Sequence, residues 1–237
     1  MKAIILAAGR STRLYPLTLD KPKCLLKIVN KTLIEHQLSI LRACGIEDIV
    51  VVTGYLSSLI KDTLGSKVRY RHYEDFAKTN NLYTLYSVNM ELTDDVIILF
   101  SDVLITTSLL KRCVESEKDF RLIIDRKNIT DKTMRVKIND FSIYDIGNHI
   151  PYYEGDGNFI GIAGFSKKGA QILSQQIEES VKDKTNNLQD YYTIVLVEIA
   201  KKGYLIDIVE INDEVWIEID YKEDYDKAIN LFGHKIF

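Results

Sequence analysis

Proline, cysteine and histidine are scarce in this 237-residue chain, with three, three and four copies respectively. Cys24, Cys44 and Cys113 are few, odd in number and widely spaced, which excludes a disulfide framework and a zinc ligand set and suits a reducing cytoplasm. His36, His72, His149 and His234 show no metal-ligand spacing, and no Ser or Cys has an assignable His and Asp partner for nucleophilic hydrolysis. No apolar run approaches the ~20 residues that cross a bilayer. Met1-Lys2 runs directly into Ala3-Ile4-Ile5-Leu6, too short for a signal peptide, so a soluble cytoplasmic protein is expected. Neither charge dominates: 31 basic residues against 34 acidic ones give a net charge of -3. Bulk electrostatics therefore favours neither nucleic acid nor a membrane surface, and any phosphate must be held by a local site.

With 46% apolar residues the chain can bury a substantial core. Its first half alternates apolar runs with amphipathic segments. Strands are predicted at Ala3–Leu6, Asp48–Thr53, Val68–His72 and Val96–Phe100, with helices at Leu33–Cys44, Leu56–Leu64 and Leu82–Leu92. That alternation implies crossover units and a largely parallel sheet. Later the strands crowd together at Phe120–Asp125, Met134–Ile138, Ser142–Ile146 and Asn158–Phe165, so the sheet becomes mixed. Helices return at Lys168–Val181 and Tyr191–Lys201, then strands at Leu205–Ile211 and Val215–Ile219 and a last helix from Lys222 to Leu231. There is no internal repeat, and the loop-like Lys182–Asn187 stretch is too short for a linker, so one domain spanning 1–237 is expected.

The strongest chemical signal is Leu6-Ala7-Ala8-Gly9-Arg10-Ser11-Thr12-Arg13-Leu14, followed by Lys21-Pro22-Lys23. Small residues after a buried strand let backbone N–H groups approach an anion, and Arg13 and Lys23 add a planar fork and a mobile point charge, a set suited to a triphosphate. A tight turn with ordinary surface cations would use the same residue types. The stretch is neither a dinucleotide fingerprint nor a P-loop. It resembles the nucleotidyltransferase signature of the sugar-phosphate and choline-phosphate families, LAAGxGxRL followed by a PK pair, with Ser11 in place of the second glycine. The resemblance implies a three-layer αβα, Rossmann-like α/β fold with a mixed, mostly parallel central sheet. It also implies that Gly9 to Arg13 wrap the triphosphate and that Lys23 contacts its α-phosphate, making Lys23 and Arg13 the catalytic candidates. The nucleotide-binding candidates are Leu6, Ala7, Ala8, Gly9, Arg10, Ser11, Thr12, Arg13, Lys23, Gly54, Tyr55 and Asn80.

Mg2+ is the cofactor this chemistry calls for, and it takes hard oxygen ligands. Asp102 follows the Val96–Phe100 strand at its carboxyl end, and Asp220 closes Trp216-Ile217-Glu218-Ile219. Asp220 is equally what a helix cap would supply. Both match the carboxylates that hold magnesium in the resembled family, and strand alternation turns Glu218 to the same face as Asp220.

Asn80-Asn81-Leu82-Tyr83-Thr84-Leu85-Tyr86 reads from composition as an amide helix cap with core tyrosines. It also resembles the NNxYSLY stretch of bacterial CTP:phosphocholine cytidylyltransferases, which implies a part in the acceptor site. The middle of the chain resembles cytidylyltransferases acting on aminophosphonates, with Arg135 or Lys137 either holding an acceptor phosphate or lying on a charged surface strand. Fourteen tyrosines leave open an aromatic box for a quaternary ammonium, with Tyr191 and Tyr192 as candidates, or simple half-buried packing. Acceptor candidates are thus Asn81, Tyr83, Arg135, Tyr191 and Tyr192. The expected partners are CTP and a small phosphorylated or phosphonated acceptor, without nucleic acid or membrane; a homodimer is compatible with the sequence. A sugar-1-phosphate nucleotidyltransferase using UTP, dTTP or GTP is the alternative, and an inactive nucleotide-binding module a further one.

Overall fold

The computed structural model describes residues 1–183 and 187–233, so residues 184–186 of the loop-like stretch and His234 lie outside the described residues. In chain order the first half contains β1 (Lys2–Ala7), a hairpin of β2 (Lys27–Ile28) and β3 (Lys31–Thr32), α1 (Leu33–Ala43), β4 (Asp48–Thr53), α2 (Ser57–Leu64) and β5 (Arg69–His72). It continues with α3 (Asn81–Tyr86), β6 (Val96–Phe100), β7 (Val103–Ile105) and α4 (Thr107–Glu115). The second half contains β8 (Phe120–Asp125), β9 (Arg135–Asn139), β10 (Ser142–Gly147), β11 (Gly157–Phe165), α5 (Lys167–Lys182), α6 (Thr193–Lys201), β12 (Asp207–Glu210), β13 (Trp216–Glu218) and α7 (Lys222–Phe232).

Nine strands form one sheet in the order β5-β4-β1-β6-β11-β8-β12-β10-β9. The β5, β4, β1 and β6 strands are parallel, as are β8 and β12, while β11 and β10 run against their neighbours. The α/β fold with a mixed, mostly parallel sheet expected from the sequence is what the chain adopts. Side chains alternate across β1: Ile4 and Leu6 enter the core under α3, α5 and α6, whereas Ala3, Ile5 and Ala7 enter the one under α1, α2 and α4. Each fully buried Leu or Ile in these layers stabilises the fold by about 1.5–3 kcal/mol.

Local signals explain the boundaries. Thr32 and Glu35 form a reciprocal capping box at the start of α1, and Gly45, at φ +77°, ends it. The helix expected over Leu82–Leu92 stops at Tyr86, and Asn89–Glu91 continues as a separate 3-10 turn. Four elements were not anticipated: the β2–β3 hairpin, α4 and the short β7. β7 leaves the main sheet and pairs antiparallel with β13, Val103 opposite Glu218 and Leu104 opposite Ile217. A third apolar cluster, including Leu14, Leu26, Ile217, Ile219 and Phe232, then clamps the loop after β1 and the β13–α7 corner together. No helix among the described residues is long and apolar enough to cross a membrane.

Candidate active site

At the carboxyl ends of β1 and β6 a cleft of about 510 Å³ opens, the place where open α/β sheets bind ligands. One wall is the loop after β1. Leu6, Ala7, Ala8, Gly9, Arg10, Ser11, Thr12 and Arg13 all line it, as do Lys23 and Asn80. Ser11 adopts φ 50°, ψ 48°, the left-handed conformation that explains why the resembled signature carries glycine there. Its carbonyl is fixed by the Thr18 hydroxyl, which donates at 2.8 Å. Gly54 and Tyr55, expected to touch nucleotide, do not line the cleft. They brace the loop from behind: the Tyr55 N–H donates to the Ala8 carbonyl at 3.0 Å, and a Cβ on Gly54 would stand 2.7 Å from that same oxygen.

Opposite the loop, the β7–β13 ladder, with Val103 opposite Glu218, brings the turn that bears Asp102 beside the corner that bears Asp220, although the two lie in different halves of the chain. The Ile219 N–H donates to the Asp102 carbonyl at 3.1 Å, fixing the two carboxylate-bearing segments to each other. Asp102, Glu218 and Asp220 each offer a carboxylate oxygen, all within 4.8 Å of one another. Lys23 bridges Asp102 and Asp220, with its ammonium 2.8 Å from each, and Arg13 reaches Asp220 at 2.8 Å. Burial disfavours the Lys23 charge, but Asp102 and Asp220 outweigh it and raise its pKa. Glu218 is pushed up to about 8, first by burial and then by the Asp102 and Asp220 charges, and the Thr133 hydroxyl donates to it at 2.8 Å. An Asp224 carboxylate oxygen accepts from the backbone N–H groups of Asp220 and Tyr221 at 3.2 and 2.9 Å, securing the corner.

A divalent ion fits this donor set. The oxygens are hard and close, Asp102 Oδ1 is buried without a hydrogen-bond partner, and the Lys23 ammonium stands where a cation belongs. Gln37, absent from the sequence-derived candidates, supports the Asp102 turn from α1 by donating to the Phe100 and Val103 carbonyls at 2.7 and 2.9 Å. Only its long-range contacts disclose that role.

The acceptor candidates separate. Asn81 and Tyr191 line the cleft. Asn80 caps α3 by accepting from the Asn81 N–H at 2.8 Å, and the Asn81 carboxamide oxygen accepts from the Tyr192 N–H at 2.8 Å, tying the 187–192 segment to the wall. Tyr192 itself turns the other way, fully buried edge-on to Phe100 with ring centroids 5.9 Å apart. Tyr83 packs against the same core and lies outside the cleft. Arg135 is buried, and four of its five N–H donors go to backbone: Ile150 O at 2.8 Å, Asp131 O at 2.9 Å, Thr133 O at 3.1 Å and Asn148 O. It does not line the cleft where an acceptor phosphate would sit. Lys137 donates to the Glu154 carbonyl at 2.6 Å, away from the cleft. Lys132 and Gln189, not anticipated, do line it.

A family model described as nucleotidyl transferase matches residues 2–134. Among curated proteins, the CTP:phosphoglutamine cytidylyltransferase of Campylobacter jejuni is 28% identical, with 97% of this chain and 99% of the relative aligned. The UTP–glucose-1-phosphate uridylyltransferase of Haloferax volcanii is 29% identical over 96% and 95%. Among solved structures, the CTP:phosphocholine cytidylyltransferase of Streptococcus pneumoniae superposes with a TM-score of 0.81 at 26% identity, covering 98% of both chains.

Proposed function

The chain belongs to the nucleotidyl transferase family, and on that premise we propose that it transfers CMP from CTP to a small acceptor bearing a phosphate or phosphonate, with Mg2+ as cofactor. The whole of 1–237 acts as the one catalytic domain. The observation that carries this reading is the convergence of Lys23, Arg13, Asp102, Glu218 and Asp220 at the mouth of an anion-cradling loop. Near-full-length similarity to CTP-using relatives supports the choice of base.

In the proposed reaction an acceptor oxygen attacks the α-phosphorus in line. A bond forms between them as the bond from that phosphorus to the β-bridging oxygen breaks, and pyrophosphate leaves with the electron pair. The loop amides from Gly9 to Arg13 cradle the triphosphate, and the Arg13 guanidinium neutralises its β and γ groups. Lys23 turns from the carboxylates to the α-phosphate. Asp102 and Asp220, with Glu218 behind them, would hold Mg2+, whose bound charge supplies Lewis-acid stabilisation. An already ionised acceptor needs no general base, and none of the cleft residues is assigned that task. Tyr191 and Asn81 form the acceptor wall.

A sugar-1-phosphate acceptor with UTP is the second reading, favoured by the equally complete match to the uridylyltransferase. Pyrophosphate release with Mg2+ decides, across CTP, UTP, dTTP, GTP and ATP, each paired with phosphocholine, phosphoethanolamine, 2-aminoethylphosphonate or sugar 1-phosphates. CTP-dependent turnover confined to the small acceptors is the expected result. Turnover confined to a sugar phosphate would hand the site to the second reading, and silence in every pairing would contradict both.

A further inference from the structure

A groove of about 640 Å³ lies beside the cleft, and the two share Met134, Asn148 and Tyr191. The groove is therefore a continuation of the acceptor side of the cleft. It runs between α6 and β10. On the helix it is walled by Ile194, Val197, Glu198 and Lys201, at the i, i+3, i+4, i+7 positions of one face, and on the strand by Tyr144 and Ile146. From Ile194 to Lys201 the helix rises about 10 Å, which sets the length of the trough.

The charged residues along α6 and at the end of β10 are paired: Asp145 with His149 at 2.9 Å and Glu198 with Lys201 at 2.8 Å. Asp190, beside Tyr191 at the junction with the cleft, accepts from the Asn187 N–H at 2.8 Å. The far end thus makes no demand for a charged ligand, while Ile194, Val197 and Ala200 are only partly buried against the core and offer it apolar surface. Asn81 anchors the strap that presents Tyr191 at the junction.

We propose that this groove receives the distal, apolar part of the acceptor, so that the natural substrate is an extended phosphate or phosphonate whose organic body lies along α6 past Tyr191. The inference rests on the acceptor entering the cleft as proposed above. It makes the natural acceptor longer and less polar than the short amino alcohol phosphates, which fill the cleft alone and still turn over as shorter surrogates.

The test measures the affinity of ethyl, butyl and hexyl phosphate for the full chain by calorimetry, in the wild type and in Val197→Trp. Affinity should rise about fourfold per added methylene, the fold-change of burying one such group. The Trp variant should remove that gain while leaving ethyl phosphate and CTP binding as in the wild type. Methyl NMR of the wild type gives a second measurement if the variant does not fold: the Ile194 and Val197 signals should shift with hexyl but not with ethyl phosphate. Affinity independent of chain length would overturn the proposal. So would a length dependence that survives Val197→Trp with both methyl signals unmoved, or a Trp variant that changes only the oligomeric state. CTP-dependent pyrophosphate release with phosphoethanolamine or phosphocholine reports on the parent reading separately, so that reading can fail while the length dependence stands, or the reverse.

Discussion

Lys23 and Arg135 are almost equally buried, 6% and 5% exposed, yet they are opposite kinds of cation. Lys23 is held by carboxylates from two different segments, Asp102 after β6 and Asp220 after β13. Those carboxylates can accept another cation, and the ammonium can then be given to a phosphate. Arg135 is held by backbone carbonyls at residues 131, 133, 148 and 150, the Thr133 carbonyl also accepting from the Asn158 carboxamide at 2.9 Å; being neutral, they draw no other cation into its place, and releasing it strips all four of a shared donor. A buried cation is available for chemistry when its partners can be re-paired, and is a staple when they cannot.

The largest effect is expected at Lys23. Lys23→Ala should lose roughly 10²-fold or more in turnover with folding retained, the size of comparable charge-stabilising contacts; steady-state pyrophosphate release and a thermal melt check both halves. Arg135→Met should do the reverse, costing about 3 kcal/mol of stability through stranded carbonyls while turnover per folded molecule is kept. If chemical denaturation shows no loss, or turnover collapses in the folded fraction, the contrast between the two cations fails. An intermediate effect is expected behind the carboxylates. Gln37→Leu frees the Phe100 and Val103 carbonyls that it holds, so Asp102 should wander and Mn2+ affinity should fall about tenfold, as when outer-shell partners are removed. An unchanged Mn2+ affinity would assign Gln37 to packing alone.

The smallest effect tests a site far from the cleft. Glu91 is drawn down to about 2 from 4.5, chiefly by the Arg69 hydrogen bonds and also by Lys2. Its folded pKa lies below its unfolded one, so its contribution is fully present above about pH 4.5 and is lost as pH falls toward 2. Glu91→Gln should therefore flatten the acid side of the stability curve in that window and leave the neutral-pH nucleotide affinity alone. An acid limb identical to the wild type would remove Glu91 from the account.

What could be read from the sequence follows the same division. The loop from Gly9 to Arg13 announces itself because small residues, adjacent cations and a preceding apolar strand are local features with a common chemical cause. Asp102, Glu218 and Asp220 were legible as strand-end carboxylates, with alternation placing Glu218 beside Asp220. The means of bringing them together was not: β7 is three residues long, directly follows Asp102, and acquires its meaning only from β13. Helix α4 escaped notice because its start is Thr106-Thr107 and its buried face is only Leu109, Leu110 and Cys113. Arg135 looked free for a ligand because its partners return from 13 to 15 residues downstream as well as from its own approach. Tyr191 and Tyr192 are chemically alike, and only the Asn81 bond and the start of α6 decide which one faces the cleft.

The central claim is that Asp102 and Asp220 form a divalent-cation centre on which the nucleotide is bound, with Lys23 standing in the cation's place. Electron paramagnetic resonance titration of Mn2+ in the presence of CTP tests it most directly, comparing wild type with Asp102→Asn and Asp220→Asn. One CTP-dependent Mn2+ site per chain, weakened on the order of a hundredfold in either variant, is the predicted result. Mn2+ binding that is independent of both carboxylates, or absent from the wild type with CTP bound, would contradict it.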